Sequence, residues 1–217
     1  MIEFELKFCI FEIPFGLSCL KIKNKITESD NYFDTNDNLL IKNGNFFRIR
    51  NDKNVDFKLY VGDDFHMCCK ETSFKKSDIV SDNTEFINIF RYLGIQINTK
   101  FSSFEEFIVK NKFWLIAPIV KERCIYTLDD DITLTVDDVN GLGRFIEVEM
   151  MLSENTNLDN KMEIRDNLLQ TLKKRNIYDD SFSEINIGYV ELYLKENNSE
   201  IYELGKFKSG KERNAVV

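Results

Sequence analysis

Glu3, Glu5 and Lys7 alternate with Phe4, Leu6 and Phe8. On a strand, two carboxylates and an ammonium would then share one face and three apolar side chains the other. The spacing recurs. Arg48 and Arg50 flank Ile49, Lys121 and Arg123 form a third row, and Glu147 and Glu149 a fourth opposite Ile146, Val148 and Met150. Thr133, Thr135 and Asp137 make a fifth. Any one such row is more often the wet face of a half-buried sheet. Lys7 aside, they are segregated by sign within each strand. Carboxylate oxygens suit hard divalent cations, and guanidinium groups grip phosphate oxygens bidentately. A closed sheet with the charges inside and the apolar residues outside, covered by helices, would enclose a metal–polyphosphate complex.

The elements that must carry these rows read as antiparallel strands with helices between them. Strands are expected at 2–13, 31–35, 46–50, 55–61, 65–74, 118–128, 132–136 and 144–152. Pro14 is placed to start a helix bearing Leu17, Leu20 and Ile26. Asn83 or Thr84 can cap a helix ended by Gly94, and Ser102 with Glu105 resembles a capping box. Residues 161–175 present Ile164, Leu168 and Leu172 on one helical face. Residues 187–194 form a further apolar segment, helical or extended. The fold class implied is α+β, a closed antiparallel barrel with helices packed outside.

The chain has 217 residues, 43% apolar and 30% charged, which fits one ordered domain at 1–196 and a polar, flexible tail at 197–217. Its net charge of −8 argues against nucleic acid or an anionic membrane held by bulk surface charge. A small enclosed basic site remains compatible with that balance. Five cysteines without CxxC spacing read as reduced core thiols, and a cytoplasmic location follows from these and from the lack of a leader-like segment. His66 is the single histidine, so neither a catalytic triad nor a histidine metal site can be built. Trp114 and Phe101, Phe104, Phe107 and Phe113 read as helix packing, and Asp129–Asp131 as a turn.

At the charged rows the chain resembles the CYTH superfamily, the triphosphate tunnel metalloenzymes that include class IV adenylyl cyclases and thiamine triphosphatases. Glu3-Phe4-Glu5-Leu6-Lys7 stands as E-x-E-x-K. Tyr32-Phe33-Asp34-Thr35 with Arg48-Ile49-Arg50 resembles the Y-[FY]-D-T … R-x-R stretch, and Lys121-Glu122-Arg123 the K-x-R strand. Residues 136–149 resemble the glycine-containing D-x-V-x-G-L-G-x-F-x-E-x-E block. Gly188-Tyr189-Val190-Glu191-Leu192 resembles S-Y-x-E-L with glycine in the serine place. Two features depart from the pattern. The strand after the tunnel lysine lacks a legible R-x-E-x-E, and residues 96–117 exceed the usual connection, which suggests a helical insertion or a lid over one mouth.

What the resemblance implies is a tunnel of about eight strands. Glu3, Glu5, Asp137, Glu147 and Glu149 would hold Mg²⁺ or Mn²⁺. Lys7, Arg48, Arg50, Lys121 and Arg123 would grip the triphosphate. Lys58 is the preferred tunnel lysine and Lys70 its rival. Glu5, Lys7 and Arg48 are the residues expected to matter most for turnover. The substrate would carry a triphosphate: ATP, thiamine triphosphate or tripolyphosphate. Cyclisation of ATP to cyclic AMP and pyrophosphate is the first reading and triphosphate hydrolysis the alternative. A non-catalytic polyphosphate-binding module comes last, and the protein would be a monomer or homodimer.

Overall fold

The computed structural model describes residues 2–60, 68–129, 132–153, 156, 160–179 and 181–205. Gly62–Asp64, His66, Asp130–Asp131 and the tail from 206 lie outside the described residues.

Eight strands close into a ring. In chain order they are β1 (Ile2–Cys9), β2 (Ile22–Asp34), β3 (Asn45–Arg50), β4 (Asn54–Tyr60), β5 (Cys68–Lys75), β6 (Trp114–Asp129), β7 (Ile132–Val139) and β8 (Gly143–Leu152). Round the ring the order is β5-β4-β3-β2-β6-β7-β8-β1, every pairing is antiparallel, and β1 returns to β5. That closing seam is short: Glu3 lies opposite Cys69 and Phe4 opposite Cys68. Beyond it the same edge of β1 takes a two-residue strand, β9 (Ser183–Glu184).

Apolar residues coat the outside of the ring and charges fill the inside. Phe4, Leu6 and Phe8 of β1 pack with Val136, Ile146 and Val148 under Leu168, Leu169 and Leu172 of α4 (Lys161–Lys174). Phe47, Ile49, Val55 and Phe57 point outward from β3 and β4. They meet Phe86 and Phe90 of α2 (Thr84–Tyr92) and Phe104 and Phe107 of α3 (Phe104–Lys110). The Phe47 and Phe57 rings stack at 4.9 Å, and Phe47 meets Phe90 edge-on at 5.5 Å. Aromatic packing of this kind exceeds simple burial by about 0.5–1.5 kcal/mol per pair.

Four expectations need correction. The helix from Pro14 is only a 3-10 turn, Phe15–Cys19, and residues from Ile22 belong to a long β2. Twelve register pairs with β6, from Ile22–Tyr126 to Asp34–Trp114, override the weak helical stripe. The 96–117 segment is no lid: α3 lies in the phenylalanine cluster on the outer wall, and residues from Trp114 already belong to β6. Ser103, not Ser102, caps α3, its hydroxyl accepting from the Glu106 N–H. The polar tail does not begin at 197, because α6 (Ser199–Leu204) buries Ile201.

One end of the ring is sealed instead by α5 (Tyr189–Asn197). There the inward positions turn apolar (Tyr32, Phe46, Ile119, Val139, Phe145), and Tyr189, Val190 and Leu194 pack among them. Asp34 belongs to the scaffold. Its carboxylate accepts from the N–H groups of Thr35, Leu40 and Ile41 at 2.7–2.9 Å, which fixes the turn into α1 (Leu39–Lys42).

Candidate active site

The charged rows converge on one cavity of about 150 Å³ inside the ring. Glu3, Glu5, Lys7, Arg48, Arg50, Lys58, Lys121, Arg123, Glu147 and Glu149 all line it. Alternation predicts this face for all of them but Lys58, which the family resemblance proposed.

The carboxylates gather on neighbouring strands. Glu5 sits opposite Glu149 and Lys7 opposite Glu147 in the β1–β8 register. Oxygens of Glu3, Glu5 and Glu149 come within 4.8 Å of one another, a hard-donor set suited to Mg²⁺ or Mn²⁺. Electrostatics agree with a cation there. Burial, then the charges of Glu147, Glu3 and Glu5, push the Glu149 carboxyl up to about 8. The positive charge that the protein turns toward Glu149, chiefly Arg123, does not offset those acids.

That shift has a measurable consequence. Between the ordinary carboxyl value of 4.5 and about 8, the folded protein holds a proton on Glu149 that the unfolded chain releases. Stability without metal should therefore fall as pH rises through that window, with the full penalty present above it. Melting scans in chelator, wild type against Glu149→Gln, should show the slope in wild type only; parallel profiles would refute the assignment.

Glu147 and Asp137 have a different setting. Arg123 bonds Asp137 through Nε at 2.7 Å and a terminal nitrogen at 2.5 Å, and that nitrogen also contacts Glu147. Asp137 is fully buried and also accepts from the Tyr189 hydroxyl at 2.9 Å. Of the five carboxylates implied as metal ligands, the structure groups three and ties two to Arg123.

The cations are held by acids as well. Lys7 Nζ lies 2.7 Å from Glu5 and 3.1 Å from Glu147. Burial disfavours its charge, but these two carboxylates outweigh burial and hold it above the usual lysine range. Arg50 is bidentate to Asp30 at 2.8 Å on both arms, and Arg48 reaches Asp56 at 3.1 Å and the Tyr32 hydroxyl at 3.2 Å. Lys121 lies 3.2 Å from Glu28. Burial and the neighbouring Arg123 lower the Lys121 ammonium, against the pull of Glu147 and Asp137.

Lys58 turns into the cavity: its Nζ lies 2.9 Å from Glu3 and 3.3 Å from both Glu5 and Glu71. Lys70 is a correction. Cys69 and Glu71 face inward, as their contacts with Glu3 and Lys58 show, so Lys70 between them is exposed on the opposite face. The strand without a legible family pattern thus turns Cys69 and Glu71 toward Glu3 and Lys58, and its Ser73 hydroxyl donates to Asp56 at 2.6 Å.

Sequence reasoning missed Glu28, Asp30, Asp56 and Glu71. Glu28-Ser29-Asp30-Asn31-Tyr32 carried the period-two signal, but it fell between a wrongly expected helix and a strand begun too late.

An eight-stranded antiparallel ring with paired acidic and basic rows inside defines the triphosphate-tunnel class of fold. The chain belongs to the CYTH domain family, whose model matches residues 1–181. It is 30% identical over 198 residues to a Methanocaldococcus jannaschii protein named "Putative adenylate cyclase", covering 88% of this chain and 98% of that one. Among solved structures, it resembles the PH1819 protein of Pyrococcus horikoshii with a TM-score of 0.62 and 22% identity, over 89% of this chain and 99% of that one. A Hippeastrum protein that reveals a dominant triphosphatase activity matches with a TM-score of 0.56 and 15% identity, over 93% and 94% of the two chains. No helix among the described residues is long and apolar enough to cross a membrane.

Proposed function

We propose that the protein is a divalent-metal-dependent triphosphatase that hydrolyses a compact triphosphate in the ring. The carrying observation is the cavity: about 150 Å³, lined by both charge rows and sealed on one side by α5. Pockets for organic ligands run to roughly 300–1,000 Å³. The space suits a triphosphate chain far better than a whole nucleotide, which makes tripolyphosphate the preferred substrate.

Glu3, Glu5 and Glu149 would hold Mg²⁺ or Mn²⁺. A bound divalent ion offsets phosphate charge and acidifies a coordinated water. The remaining work belongs to the chain. Arg48, Arg50, Lys58, Lys121 and Arg123 surround the cavity with donors already aimed inward, so transition-state charge on the phosphoryl oxygens meets preorganised cations. Lys7, between Glu5 and Glu147, places a further ammonium beside the carboxylate set. The internal acids Glu28, Asp30 and Asp56 hold those cations in place before substrate arrives. Phosphoryl transfer needs this alignment and neutralisation more than covalent help.

Cyclisation of ATP is the second reading, favoured by the 30% identity to the archaeal relative and its name. It requires the nucleoside to sit beyond the cavity with the ribose hydroxyl turned back to the α-phosphate. Incubation of pure protein with Mn²⁺ and tripolyphosphate, ATP or thiamine triphosphate separates the readings. Free phosphate, fastest from tripolyphosphate, is expected. Cyclic AMP with pyrophosphate would establish the second reading, and binding without any product would leave a binding module.

A further inference from the structure

The helix that seals the ring does more than exclude water. Val190 and Leu194 supply its apolar face, and the Glu191 carboxylate turns back to accept from the Gly188 N–H at the helix start. Tyr189 turns toward the charges. It is 7% exposed, and two ammonium groups lie near its ring: Lys7 Nζ at 4.6 Å from the centroid and Lys121 Nζ at 5.1 Å. Its hydroxyl donates to Asp137 Oδ2 at 2.9 Å. The segment leading into α5 is tied to the same strand, with Ile185 N–H donating to the Lys7 carbonyl at 2.8 Å and Lys7 Nζ donating to the Ile187 carbonyl at 3.4 Å.

We infer that Tyr189 is a positioning residue, its ring setting where Lys7 and Lys121 present their ammonium groups to the triphosphate. The inference rests on the function proposed above. An aromatic face carries the negative side of the ring quadrupole, and a desolvated ammonium within about 6 Å is drawn to it. One ring shared by two lysines offsets their mutual repulsion and limits the positions each can occupy. Both ammoniums keep hydrogens for other acceptors, as their carboxylate contacts show. An apolar plug built only to fill space would need neither the hydroxyl nor this face. Seating α5 and arranging two phosphate-binding lysines are therefore a single event.

The test separates ring, hydroxyl and seal. Tyr189→Phe keeps the ring and loses the bond to Asp137; Tyr189→Leu keeps an apolar side chain and loses the ring face. In wild type, NMR of the Lys7 and Lys121 side-chain methylenes should show upfield ring-current shifts without any substrate. Tyr189→Phe should keep the shifts and Tyr189→Leu should lose them. With tripolyphosphate and Mn²⁺, Tyr189→Leu should raise KM about tenfold with a smaller change in kcat, and Tyr189→Phe should return KM to within about twofold of wild type. Unshifted lysine signals in an active wild type would overturn the role of Tyr189 alone, whether or not the leucine variant folds. Equal KM changes in the two variants, or none in Tyr189→Leu, would overturn it too. Shifted signals in a wild type that neither binds nor hydrolyses tripolyphosphate would instead bring down the proposed function, and with it what the lysines are positioned for.

Discussion

Glu5→Gln should lower metal-dependent turnover by about a hundredfold or more while leaving the fold in place. Glu5 belongs to the carboxylate trio with Glu3 and Glu149, so an amide there removes one charge from the cation's donors. The fold survives because each cation around Glu5 keeps another partner. Lys7 retains Glu147 at 3.1 Å, and Lys58 retains Glu3 at 2.9 Å and Glu71 at 3.3 Å. Initial rates across a Mn²⁺ titration, beside a thermal melt of the same preparation, measure both halves of the statement. Turnover within threefold of wild type at saturating metal would remove Glu5 from the site.

Arg123→Met should behave in the opposite way, costing stability before anything else. Arg123 is 7% exposed and is the guanidinium against both Asp137 and Glu147, which are buried. Deleting one partner of a buried charge network leaves the others uncompensated, at a cost of roughly 3–5 kcal/mol. Lys121 lies 3.6 Å from Asp137 and Lys7 3.1 Å from Glu147, so some compensation remains and the lower part of that range applies. Urea unfolding of Arg123→Met, Asp137→Asn and the double variant gives the coupling directly. A loss below about 1 kcal/mol for Arg123→Met, or strict additivity in the cycle, would show that the network is not a unit.

The rows that were legible in the sequence share one physical property. A charge every second residue, with phenylalanine, leucine or isoleucine between, cannot be placed on a half-buried strand in more than two ways. Glu3, Glu5, Lys7, Arg48, Arg50, Lys121, Arg123, Glu147 and Glu149 all reached the cavity on that basis. Glu28 and Asp30 stayed hidden because Pro14, Leu17, Leu20 and Ile26 imitate a helix, and local pattern says nothing of the twelve pairs β2 makes with β6. Lys70 was a candidate because the family resemblance brings its strand to the tunnel; on that strand its neighbour Glu71 is the residue that faces in. The sealing of one end by α5 was out of reach for a related reason. Which of several apolar segments fills the mouth of a ring depends on where the ring ends, and that is a property of the closed sheet.

The short seam between β1 and β5 also bears on how the chain comes to life. β1 takes its long partner from β8, with Ile2 opposite Leu152, and it meets β5 at only two residues. During synthesis the row of Glu3, Glu5 and Lys7 is made well before residues 143–152, and until then its main hydrogen-bonding partner does not exist. Pairings this distant in the chain form late, because loop-closure entropy must be met before they repay it. A half-made molecule therefore carries the carboxylates and lysine of β1 without the strand that completes them. Competence arrives all at once, with the closing of the circle.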